Sequence, residues 1–189
     1  MESSEPIRSY PDVLEQFAGA EAQFLPSPSE ANESPRIFVG FWPQRPEPDL
    51  HTYFTVGLSA FPFQQSSRHR PELLLCVQSP DISWGLAMGF IAHQAGRTFS
   101  FPTGETIDFK ARISPDSEMT GFLIAPQMVF PEEISVFETE AFPIRLMQLL
   151  PLYDSELRAI RRLGPAFFAR QRPDPCSVSR PEVRIPTST

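Results

Sequence analysis

The chain has 189 residues, a formal charge of −7, 41% hydrophobic residues, 22 prolines and 17 phenylalanines. This apolar share excludes a disordered chain, and the length suits one domain. The acidic balance argues against nucleic acid, which needs a concentrated cationic face, and suits a soluble protein or attraction to a basic protein surface.

No window comes near the roughly 18 apolar residues that span a bilayer, so no membrane partner is expected. "MESSEPIRSYPDV" has no basic stretch followed by an apolar one, so export is not expected. Cys76, in "ELLLCV", reads as a small buried hydrophobe, and Cys176 lies in a polar, Pro-rich segment. A disulfide between them is not expected, and a cytoplasmic, reducing location fits.

Residues 1–9 read as a flexible N-terminus. In "PDVLEQFAGA", Val13, Leu14 and Phe17 share one face of a short helix that Gly19 weakens. "PSPSEANESP" (26–35) is a loop by composition, "RIFVGFW" (36–42) a strand, and the stretch up to 49 a Pro-rich turn. "LHTYFTVGLS" (50–59) is the next strand, with Tyr53 and Thr55 on one face and Thr52, Phe54 and Val56 on the other. After a polar, basic loop (64–70), "ELLLCVQ" (72–78) is apolar on both faces and reads as a central strand.

"DISWGLAMGFIAHQAG" (81–96) is the clearest helix, with Ser83 as cap, Ile82 as staple and Gly96 as stop. Leu86, Phe90 and His93 follow its period. Gly85, Gly89 and Ala92 form a stripe of small residues, which marks either a close approach by a neighbour or tolerated poor helix formers. "RTFSF", "ETIDFKARI", "MTGFLIAPQ" and "EEISVFETE" read as strands, and "FPIRLMQLLPLY" (142–153) as a further strand ending at Pro151. Asp154 or Ser155 caps a helix that Gly164-Pro165 stops, and "PAFFARQ" restarts it. Residues 172–189 lack periodicity and read as a flexible tail.

Chemistry-bearing motifs are few. Gly57-Leu58-Ser59 lacks the second glycine of a nucleophile elbow, and Pro62-Phe63 follows it instead of a helix. Gly57 reads better as a bulge or close approach in the strand. No phosphate loop occurs. His51, His69 and His93 lack metal-motif spacing, so neither a metal nor any other cofactor is expected. Adjacent carboxylates at Glu132-Glu133 read as a solvated turn. Aromatics beside turns are candidate partner anchors. With the polar loop they make up the expected contact set: Phe61, Phe63, Arg68, His69, Trp42, Phe130, Glu132 and Glu133. The element order predicts an α+β single domain, a mixed and largely antiparallel sheet flanked by helices.

"TYFTVGLSAFPF", "PELLLCV", "SWGLAMGFIAHQAGRTF", "GETIDF", "GFLIAPQ" and "RLMQLLPLYDSELRAIRRLGPAFFA" occur in an order and spacing that resemble the suppressor of fused (SUFU) domain family over about residues 10–171. The resemblance implies a SUFU-like domain at 10–171 that binds protein and is not an enzyme. Eukaryotic members sequester a transcription factor by closing two domains around a peptide that adds as a β-strand, and this chain resembles the N-terminal domain. "AFPFQQSSRHR" lacks the aspartate and loop tyrosine of those members, so no peptide-contact residue carries over. Single-domain bacterial members resemble immunity proteins, which implies a cognate toxin domain as partner. The alternative is a regulatory module that captures a peptide by strand addition, without a toxin.

Overall fold

The computed structural model describes residues 9–26, 35–61, 68–95, 101–139 and 141–186. In chain order they form α1 (Tyr10–Ala18), β1 (Gln23–Phe24), β2 (Phe38–Trp42), β3 (His51–Val56), β4 (Arg70–Val77), α2 (Ser83–Ala95), β5 (Thr106–Asp108), β6 (Gly121–Pro126), β7 (Val136–Phe137), β8 (Ile144–Leu152), α3 (Asp154–Leu163) and α4 (Pro165–Gln171). The sheet runs β1-β2-β3-β4-β8-β6-β5, with β7 also on β8. Only β4 and β8 pair in parallel. These two strands hold the centre because their apolar runs tolerate burial on both faces. The α+β domain with a mixed, mostly antiparallel sheet is therefore as the sequence predicts.

Alternation along the strands builds two core layers. Tyr53, Leu73, Leu75, Met147 and Leu149 pack with Trp84, Met88 and Ile91 of α2. On the opposite face, Phe54, Leu74 and Leu146 meet Tyr10 and Leu14 of α1, while Leu150 and Leu152 meet Leu157, Ile160 and Phe168 of α3 and α4.

Several local expectations change. Gly19 does not weaken α1 but ends it as a left-handed cap, and the buried face is Tyr10, Leu14 and Ala18, leaving Phe17 exposed. The acceptor at the start of α2 is the Asp81 carboxylate, which takes the Ser83 N–H at 2.8 Å. That bond holds the Asp81 carboxyl below its ordinary range. Leu86 and Phe90 face outward, Phe90 being 53% exposed. The helix turns its small stripe inward because a Cβ on Gly85 would lie 2.3 Å from the Tyr53 ring. Gly96 and most of "RTFSF" lie outside the described residues. Glu132–Ile134 is a 3-10 turn, so strand structure in "EEISVFETE" is confined to Val136–Phe137. β8 continues through Pro151 to Leu152, and Tyr153 takes the cap position of α3, its N–H bonded to Glu156 at 3.1 Å.

The segment after α4, expected to be a loose tail, is docked through residue 186. Cys176 O accepts the Gln78 N–H at 2.8 Å, and Val178 O accepts the Ser117 hydroxyl at 2.6 Å. The Arg180 guanidinium bonds both Glu156 carboxylate oxygens at 2.6 and 2.7 Å, and Val178 and Arg180 are buried. Composition does not reveal this docking because, among the described residues of the segment, only two side chains are buried. No helix among the described residues is long and apolar enough to cross a membrane.

Candidate functional site

Gly57-Leu58-Ser59 is a carboxylate cradle. Glu72, near the start of β4, is buried with its side chain pointing at the turn after β3. Its Oε1 accepts the Gly57 N–H at 3.0 Å, the Ser59 N–H at 3.0 Å and the Ser59 hydroxyl at 2.7 Å, while Oε2 accepts the Thr55 hydroxyl at 2.6 Å. Thr55 Oγ1 in turn accepts the Leu73 N–H at 2.8 Å, tying the cradle to the β3–β4 pair. Gly57 adopts φ +102°, and a Cβ there would sit 2.1 Å from the Arg36 carbonyl oxygen, so only glycine fits the turn. Burial pushes the Glu72 carboxyl above its ordinary range, opposed by the bonds from Thr55, Ser59 and Gly57. The Ser59 hydroxyl is committed to this bond, so its role here is structural.

The expected contact residues divide. Trp42 is 1% exposed, stacked on Phe54 at 4.4 Å with its Nε1–H bonded to Ala20 O at 2.9 Å. Phe61 is 5% exposed and belongs to the layer under α2. Both are core side chains, so the expectation of surface anchors fails at these two positions. Their apolar area finds a deeper neighbour than a turn position suggests. Phe63 lies outside the described residues, and Arg68 is exposed.

The remaining four expected residues converge. Phe130, half-buried, packs edge-on to Trp42 at 6.3 Å. With Glu132 and Glu133 it lines an open cleft of about 610 Å³ that also takes in Arg145 and Met147 of β8. His69 does not line it but reaches one of its lining residues, with Nδ1 3.4 Å from Arg145 Nη2. The cleft exists because the chain leaves β6 at Pro126 and rejoins the sheet only at Val136. Gln127 shapes the detour: its Nε2 donates to Phe130 O, Pro131 O and Ser135 Oγ at 2.9–3.1 Å, and its Oε1 accepts the Phe130 N–H. Beneath, Gln148 Oε1 accepts the Met128 N–H at 2.7 Å.

A second chamber of about 460 Å³ adjoins the first, sharing Thr103, Pro126 and Met128. It is apolar, with Leu123, Leu150 and Phe168 in its wall and Arg172, Pro173 and Pro175 along one side. Together they make a groove with an apolar half and a charged half. Glu132 and Glu133 are exposed and form no ion pair among the described residues. No group of three or more metal-binding side chains converges among the described residues.

The turn at 127–133 was an expected contact segment, but Arg145 in the cleft and Glu72 in the cradle were not singled out from the sequence. The available signal was a polar side chain interrupting an apolar run, as Glu72 does in "PELLLCV" and Gln148 in "RLMQLLPL". Such a side chain needs partners once buried.

A family model described as suppressor of fused protein (SUFU) matches residues 33–180. Among solved structures, a SUFU homologue from Neisseria gonorrhoeae is 14% identical, with TM-score 0.69 over 92% of this chain and 93% of that one. A Sufu–Fu complex contains a chain 15% identical, with TM-score 0.63 over 90% and 88%. Drosophila Suppressor of Fused is 14% identical, with TM-score 0.56 over 76% of this chain and 42% of that one. At such identities the structural likeness speaks to the fold. No curated protein matches the chain by sequence. With the family model spanning most of its length, from before β2 to the docked C-terminal segment, the chain belongs to the suppressor of fused family.

Proposed function

We propose that this protein is a non-enzymatic protein-binding domain whose contact surface is the two-chambered groove. The observation that carries the reading is the pairing of an apolar chamber with two exposed carboxylates, Glu132 and Glu133, that have no cationic partner among the described residues. Such a groove suits a protein segment with an apolar side chain beside a basic one, the first supplying burial and the second electrostatic selection. The Sufu–Fu complex supports protein binding as the use of this fold. Within that reading, the partner is a cognate toxin domain and the chain its bacterial, cytoplasmic immunity protein, in keeping with the net charge of −7. Sequestration of a regulatory peptide by strand addition is less well supported. The edge strands β1 and β5 have two and three residues, a short template for a ladder.

Co-expression with the product of the adjacent reading frame should rescue growth. The double substitution Glu132→Lys/Glu133→Lys should abolish rescue while leaving the melting temperature at the parent value. Toxicity indifferent to this chain would sink the immunity reading. Rescue indifferent to the double substitution would move the contact surface elsewhere.

A further inference from the structure

The docking of the C-terminal segment brings together the two cysteines that the sequence places far apart. Cys76 is buried near the end of β4, and Cys176 is half-buried on the docked segment; both are free thiols. The bond from Gln78 N–H to Cys176 O at 2.8 Å lays the segment alongside the end of β4, within two residues of Cys76. The thiols are neighbours: contact with Cys176 holds the Cys76 thiol below its ordinary range, and the same contact pushes Cys176 up. Asp49 and Asp174 lie near enough to act on Cys76. Two free thiols brought side by side are the reactants that thiol–disulfide exchange needs.

We propose that Cys76 and Cys176 are a reversible disulfide site that fastens the C-terminal segment to the central strand. The oxidant is a small-molecule disulfide such as oxidised glutathione. Cys176 is the thiol that this oxidant can reach; its proton passes to solvent as its sulfur attacks, forming a mixed disulfide and releasing one glutathione thiolate, a step that its raised thiol pKa slows. The Cys76 sulfur then attacks Cys176 and releases the second. The protein gives up two hydrogens, and two glutathione thiols are formed. Pro173 and Pro175, in the wall of the apolar chamber, immediately precede Cys176, so the bond also fixes that wall. The site stands independently of what the groove binds.

The test uses the full chain in glutathione buffers of graded ratio, quenched with an alkylating agent. Oxidised protein should lose about 2 Da without dimerising, and a digest should contain one peptide pair joining Cys76 to Cys176. The closed loop is about 100 residues long, so the melting temperature should rise by roughly 5–15 °C on oxidation and return on reduction. Cys176→Ser should show the reduced melting temperature under both conditions. A stable glutathione adduct on Cys176, a disulfide-linked dimer, or two alkylatable thiols at an oxidising poise would each overturn the proposal. The mass and digest on the parent chain decide it even if the variant folds poorly.

Discussion

Replacing Glu72 with alanine tests the cradle directly. The substitution strands four donors: the hydroxyls of Thr55 and Ser59 and the amides of Gly57 and Ser59. Hydroxyls can rotate to other acceptors, whereas the two amides are fixed by the left-handed turn at Gly57. A buried donor left without a partner costs about 1–3 kcal/mol, so the amides alone cost about 2–6 kcal/mol. That is a large part of the roughly 5–15 kcal/mol that holds a domain folded. For a chain of this size it lowers the melting temperature by about 4–24 °C. The assay is urea unfolding followed by circular dichroism at neutral pH, with the parent and Glu72→Gln alongside. Glutamine keeps an oxygen for the Gly57 and Ser59 donors and should recover at least half of the loss. A cost below about 1 kcal/mol for Glu72→Ala with an unchanged denaturant slope would refute the cradle as the organiser of this turn.

Two further outcomes follow from the same geometry. The Glu72 carboxyl is raised by burial, so the native state holds its proton more tightly than the unfolded chain does. The stability this contributes is complete below the ordinary carboxylate range and is lost as pH rises through the folded value. The advantage of the parent over Glu72→Gln, read from urea midpoints, should therefore shrink as the solution is taken from acid towards neutral; a constant difference would contradict it. Arg180→Ala leaves Glu156 buried without its cation and should cost about 3–5 kcal/mol. It should also expose the segment after α4 to limited proteolysis, and resistance equal to the parent's would show that the pair does not hold it.

The local chemistry of the sequence determined a good deal on its own. An apolar run too dense for a half-exposed strand marked β4 as central, and Gly164-Pro165 placed the break between α3 and α4, whereas the central place of β8 came only from the sheet order. Order and spacing across several blocks carried the family. What stayed hidden depends on partners distant in the chain. α2 is apolar nearly all round, so its period could not say which face turns inward; the Tyr53 ring chose the glycine side. Glu72 and Glu156 look like ordinary carboxylates until their partners are known, in the turn after β3 and at Arg180. Trp42 and Phe61 sit beside turns in sequence yet lie in the core in space. The groove draws on residues around 103, 126–136, 145–147 and 165–175, brought together by the sheet order alone. Periodicity and turn residues encode what each segment forms, because those forces act within a few residues. Which polar group satisfies another, which cysteine meets another and where a cleft opens are set by long-range packing, and only the tertiary structure decided them.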